Sequence, residues 1–118
     1  MNKKQISVLL ILIATALPGF AAEDAAKTLF AQKCSSCHAK DGKGNPAMAK
    51  MFKLDASALD LTSKMTIEKK DEELIAITTK GHGKMPAYGE KLKAEQIESL
   101  VGYIRSLSKP TPKTKPKS

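Results

Sequence analysis

The chain has no tryptophan, and its 118 residues include only two Tyr and three Phe. A small domain with so few aromatics builds a thin core, and such domains often depend on a staple or a bound group. Cysteine is almost as scarce: two residues can form one disulfide at most. The chain is too short for a multi-domain enzyme, a long repeat array or an α/β barrel. No nucleophile–base pair or carboxylate pair stands at a spacing that suggests hydrolysis. A long apolar run is also missing. Ile6 to Leu17 is nearly unbroken but holds 12 residues, against the ~20 that a helix needs to cross a hydrocarbon core. An uncleaved membrane anchor is therefore the weaker reading.

That run has another meaning. Lys3 and Lys4 precede it, and Pro18-Gly19-Phe20-Ala21-Ala22 follows. A basic start, a short greasy centre and small residues at the end make a secretory leader. Cleavage after Ala21 puts Gly19 and Ala21 at the two selected positions, whereas cleavage after Ala22 would place Phe20 where a small side chain is wanted. Residues 1–21 are read as the leader, within one residue, and 118 − 21 = 97 residues then work in the periplasm. Twenty Lys and Arg against 12 Asp and Glu give +8. Removing Lys3 and Lys4 leaves +6, and Lys109, Lys113, Lys115 and Lys117 account for four more, so the folded part carries about +2. Residues 22–108 are the expected domain. Residues 109–118, with three prolines and no apolar residue, form a disordered basic tail that leans towards polyproline II. Such a tail can hold a protein near anionic lipid or an acidic partner, or can simply be a solvated terminus. Nucleic acid is a poor candidate partner for an exported chain with so few aromatics.

The two cysteines stand in Cys34-Ser35-Ser36-Cys37-His38, which is C-x-x-C-H, the attachment sequence for c-type haem. Two thiols one helical turn apart can form thioethers to the vinyl groups along one side of a porphyrin. The next residue then carries an imidazole beneath the ring. Three other readings compete. A Cys34–Cys37 disulfide would close a ring too small to stabilise much. A thioredoxin-type motif would need a βαβ pattern, and no strand-like alternation lies nearby. Zinc bound by Cys34, Cys37, His38 and His82 has suitable ligand types, but adjacent Cys37 and His38 are poor geometry for a tetrahedron. Haem c is the expected cofactor, one per chain.

The sixth coordination position decides what a haem protein does. Met48, Met51, Met65, Met85 and His82 are the candidates. Met85 lies in Lys80-Gly81-His82-Gly83-Lys84-Met85-Pro86-Ala87-Tyr88-Gly89. Gly81 can end the preceding helix in a left-handed conformation, and Pro86 pushes Met85 out of helical space. An extended loop results, able to point one thioether inward. Met48, Met51 and Met65 are read as core filler, the first two being three apart as in a packing stripe. His82 is either an exposed imidazole or a replacement for Met85, which would give a bis-His haem of much lower potential.

From about Ala25 to Leu107 the chain resembles the class I c-type cytochromes, the small bacterial monohaem proteins. The resemblance is carried by Phe30-(x3)-Cys34-(x2)-Cys37-His38, Gly42-Lys43-Gly44-Asn45-Pro46, Lys84-Met85-Pro86-Ala87-Tyr88 and Leu100-Val101-Gly102-Tyr103-Ile104, in this order. It implies an all-α cytochrome c fold, three to five short helices around one covalently attached haem. Residue patterns agree. A helix is expected from 24 to about 36, with Asp24 as N-cap, and another from Asp71 to Lys80, with acidic residues in its first turn and Leu74, Ile75 and Thr78 on its inner face. A last helix is expected from Ala94 to Leu107, with Ile97, Leu100, Val101, Ile104 and Leu107 at spacings of three and four. In the family the first and last helices cross closely; here Ala26 and Gly102 are small enough to allow it, with Phe30 and Tyr103 packed beside them. The family usually has Gly where Ala26 stands, and Lys93 replaces the usual capping residue of the last helix. The resemblance further implies that the Pro46 carbonyl accepts a hydrogen bond from His38 Nδ1–H. Tyr88 is left between reaching a haem propionate and packing.

The function expected is that of a periplasmic one-electron carrier rather than an enzyme, with Cys34 and Cys37 as covalent anchors and His38 and Met85 as axial ligands. Partners would be proteins that donate and accept electrons, some of them membrane-bound, to a monomer that does not itself span the membrane. Lys33, Lys40, Lys43, Lys80 and Lys84 flank the ligand segments and offer acidic partners a docking rim, or simply confer solubility. The alternative is a ligand-binding haem sensor or peroxidase-like protein with a labile sixth ligand.

Overall fold

The computed structural model describes residues 18–109. The apolar run of the expected leader and the tail beyond Lys109 lie outside the described residues. Six α-helices and one 3-10 turn follow one another: α1 Pro18–Lys33, α2 Ser35–His38, α3 Pro46–Phe52, the 3-10 turn Ala56–Leu59, α4 Lys64–Ile67, α5 Asp71–Lys80 and α6 Ala94–Leu107. The fold is all-α, and α1, α5 and α6 are the helices of ten residues or more.

The first helix starts earlier and ends sooner than expected. It runs from Pro18, so Asp24 lies inside it and is not an N-cap. Alanine at 22, 25, 26 and 31 favours helix throughout this stretch. It stops at Lys33, where Ser35 Oγ donates to the Ala31 carbonyl at 2.6 Å and competes with helical continuation. Both α5 and α6 have lysine at the N-cap, which offers no capping acceptor. The third helical residue makes up for it in each case. Glu73 Oε2 accepts from Lys70 N–H at 2.7 Å, and Gln96 Oε1 from Lys93 N–H at 2.8 Å, which is half of a capping box.

Phe30, Leu92, Ile97 and Leu100 form the core, with Leu29, Ile75, Ile104 and Leu107 packed against it. The apolar faces read from spacing are the faces buried. Leu74 and Thr78 of α5, and Ile97, Leu100 and Val101 of α6, are all buried. Phe30 and Tyr103 meet with ring centroids 5.2 Å apart at 59°, a tilted arrangement that aromatic quadrupoles favour. Ala26 is buried, as a close crossing of α1 and α6 requires. Gly102 takes no part in it. A Cβ built there would meet nothing within 4 Å, because the residue borders a recess of about 200 Å³ between Ala22, Glu23, Ala26 and Tyr103. The small side chain at the contact is therefore Ala26 alone.

Candidate haem attachment site

Cys34 follows the last residue of α1, and α2 carries Cys37 and His38. Both cysteines are free thiols and half-buried. Cys34 packs against the core cluster, and burial pushes its thiol up to about 11, with the Cys37 sulfur adding to the effect. The carbonyls of α2 would be unpaired at so short a helix, and the loop that follows satisfies them one by one. Ala39 N–H donates to Ser35 (2.8 Å), Asn45 N–H to Cys37 (2.9 Å) and Gly44 N–H to His38 (2.8 Å). Asn45 Nδ2 donates to the Ser36 carbonyl at 3.0 Å, while its Oδ1 accepts from Ala47 N–H at 3.0 Å and so starts α3. Ala39 is held at φ 61 and ψ 162, a region that favours glycine, so backbone strain sits beside His38.

His38 differs from expectation. Its Nδ1 lies 2.8 Å from the carbonyl of Leu59, twenty-one residues downstream, and not at Pro46. Pro46 is committed to the first turn of α3, where a residue without an N–H fits best. Leu59 ends the 3-10 turn, and the segment after it is pinned from two sides. Leu61 N–H donates to the Gly42 carbonyl at 2.7 Å, and Asp60 Oδ1 accepts from Thr62 N–H at 2.8 Å and Thr62 Oγ1 at 2.6 Å. Burial holds the His38 ring below the usual imidazole range, and the Leu59 carbonyl pulls it partly back. A neutral ring that donates from Nδ1 leaves the Nε2 lone pair as its metal-binding atom. Sequence patterns gave no sign of Leu59 or Asp60, since their role depends on a turn far along the chain.

The Met85 loop hangs from the end of α5. His82 and Met85 exchange backbone hydrogen bonds at 3.1 and 2.9 Å, which closes a tight turn around Gly83 and Lys84. Tyr88 and Gly89 N–H donate to the Thr78 and Thr79 carbonyls, each at 3.0 Å, and so cap the last turn of α5. Gly81 makes the turn possible. Its φ is 76°, and a Cβ would stand 2.8 Å from the Met85 carbonyl oxygen and 2.9 Å from Ala87 N, a clash on top of strain. Met85 is half-buried and His82 exposed.

Tyr88 joins this loop to the attachment segment. Its ring packs against the core cluster, as Cys34 does, and its hydroxyl donates to the Lys33 carbonyl at 2.9 Å. Burial, followed by the nearby Cys34 and Cys37 sulfurs, raises the phenol above its ordinary range. In this structure the Tyr88 ring packs and its hydroxyl has a backbone partner. Among the described residues no group of three or more His, Cys, Asp or Glu is placed to hold a metal ion, which removes the four-ligand zinc arrangement. Met51 and Met65 are 62% and 64% exposed and are not core filler; the helices that carry them are too short and peripheral to bury both faces. Met48 is half-buried.

The donor set suits haem c: two thiols three positions apart, an imidazole with one nitrogen already engaged, and a thioether-bearing loop tied to the same core. Comparison with known proteins agrees. The chain matches the family model described as cytochrome c oxidase, cbb3-type, subunit III over residues 21–104. It is 37% identical over 109 residues to cytochrome c6 of Picosynechococcus sp., covering 86% of this chain and 92% of the relative. To cytochrome c6 of Rippkaea orientalis it is 40% identical over 91 residues, 75% of this chain and 72% of the other. It is also 35% identical over 91 residues to the cbb3-type cytochrome c oxidase subunit FixP of a Bradyrhizobium species, matching 75% of this chain but 28% of that longer protein.

Proposed function

The chain belongs to the class I c-type cytochromes and is a small electron carrier, and we propose that it works as a periplasmic shuttle, with Cys34 and Cys37 forming thioethers and His38 and Met85 as axial ligands. Haem c supplies a one-electron couple at iron. The protein's own residues decide how that couple is used. His38 presents Nε2 while the Leu59 carbonyl holds Nδ1–H at 2.8 Å, and this observation carries the reading, because an imidazole oriented beside two thiols is what proximal ligation requires. A thioether from Met85 is a weak neutral donor that favours the reduced ion and raises the potential. With His38 and Met85 both engaged, a bound haem would keep no open position for a substrate, and an electron's passage would need little rearrangement.

The leader-like residues 1–21 support export, with residues 22–108 as the working domain and 109–118 as a basic tail. Among the described residues no helix is long and apolar enough to cross a membrane. The likeness to oxidase subunits supports redox proteins as donor and acceptor. Lys33, Lys40, Lys43, Lys80 and Lys84 are all exposed and flank the two ligand segments, so acidic docking faces would meet them first.

Two measurements test this. Denatured protein extracted with acid acetone keeps its colour if the thioethers exist, and colourless material overturns the attachment. The ferric protein shows a near-infrared band from thioether–iron ligation that Met85→Ala abolishes; a band unchanged in that variant removes Met85 from the iron.

A further inference from the structure

Tyr88 stands three residues beyond Met85 and is engaged at every polar atom. Its N–H donates to Thr78 at 3.0 Å, and its carbonyl accepts from Lys91 and Leu92 N–H at 3.0 and 2.9 Å. The main chain is therefore part of the distal loop and of the turn that leads into α6. The hydroxyl leaves this neighbourhood altogether and reaches Lys33, 55 positions away in sequence. Lys33 ends α1 and immediately precedes Cys34. The helix breaks there. Cys37 N–H, which would continue the helix by bonding Lys33, donates to the Cys34 carbonyl at 3.3 Å, and His38 N–H donates to the same oxygen at 3.0 Å. The carbonyl that the helix gives up is the one the phenol takes.

We infer that the Tyr88 hydroxyl is a positioning group for Met85: by donating to the Lys33 carbonyl it fixes the loop bearing the thioether against the segment bearing Cys34, Cys37 and His38. This rests on the reading of Met85 as the second axial ligand. A thioether competes poorly with stronger donors, so its hold depends on a loop that arrives preorganised. The ring cannot supply that register by itself, since packing against the core cluster is non-directional, whereas the hydrogen bond specifies one partner atom. Losing one neutral hydrogen bond shifts the balance between closed and open loop by about three- to tenfold.

Tyr88→Phe keeps the ring and removes only the donor. Ferric holoprotein is titrated with imidazole while the near-infrared band is followed, in the wild type, in Tyr88→Phe and in Tyr103→Phe, whose ring also packs against the core. Urea midpoints of all three are measured in parallel. Expected is imidazole binding about three- to tenfold tighter in Tyr88→Phe, with Tyr103→Phe like the wild type. Equal affinity in the wild type and Tyr88→Phe overturns the inference while Met85 ligation stands. A rise shared by both variants in step with their urea midpoints also overturns it, as a general loosening. A wild-type protein without the band overturns Met85 ligation and this inference together.

Discussion

The long helices and the middle of the chain are held by different forces. Where α1 and α6 cross, Phe30, Leu100 and Val101 are nearly inaccessible to solvent, and dispersion with apolar burial supplies the cohesion. Between Pro46 and Lys70 the helices have seven residues or fewer, and Ala49 and Leu59 are their buried apolar side chains. Met51, Leu54, Met65 and Ile67 of this stretch remain exposed. Polar ties hold it instead. Arg105 of α6 donates from Nη1 to the carbonyls of Thr66 (3.2 Å) and Ile67 (3.1 Å), from Nη2 to that of Lys69, and from Nε to Asp71 Oδ1 at 2.9 Å. One guanidinium thus gathers the end of α4 and the start of α5. The lesson is that a segment too short to bury a face can still be placed accurately when backbone carbonyls find a fixed donor.

Four substitutions sharpen or break this contrast. Phe30→Ala has the largest effect expected. It removes the central ring of the core and the Tyr103 contact, costing about 3–5 kcal/mol, seen as a lower urea midpoint in which long helices and middle segment unfold together. Arg105→Ala should cost about 2 kcal/mol, in the range of hydrogen bonds to a charged group. Its loss is local: amide exchange quickens across residues 64–71 while α1 and α6 stay protected. Uniform loss of protection across the domain would break the contrast. Asp60→Ala removes the acceptor of both Thr62 bonds at about 1 kcal/mol. It also loosens the turn that presents the Leu59 carbonyl, so His38 Nδ1–H exchanges faster by NMR. Gly102→Ala is the smallest change and has the opposite sign. Nothing stands where its Cβ would go, and replacing a mid-helix glycine stabilises by about 0.5–1 kcal/mol. A destabilised variant would mean that α1 and α6 do approach closely at that point.

The same division separates what could be read along the chain from what could not. Helices α5 and α6 show their limits and buried faces in the spacing of Leu74 and Thr78, and of Ile97, Leu100 and Val101, because helical periodicity is a local property. The limits of α1 are not set so locally: alanine-rich sequence continues upstream of Asp24, and at the other end the Ala31 and Lys33 carbonyls are taken by the hydroxyls of Ser35 and of the distant Tyr88. Met51 and Met65 read as core because they are apolar; exposure is decided by what packs above a helix, not by its own residues. Gly102 read as a close contact on size alone.

Residue order along the chain determined the all-helical class, the Cys34-x-x-Cys37-His38 attachment chemistry and the loop that carries Met85, since each follows from neighbours within a few positions. Only the tertiary structure decided who holds these groups in place: Leu59 for His38, Lys33 for Tyr88, Arg105 for the end of α4. All three are bonds to or from main-chain atoms over 21 to 55 residues. A carbonyl is the same at every position, so no side-chain pattern announces which one will be used. Closure of the chain around its core selects it.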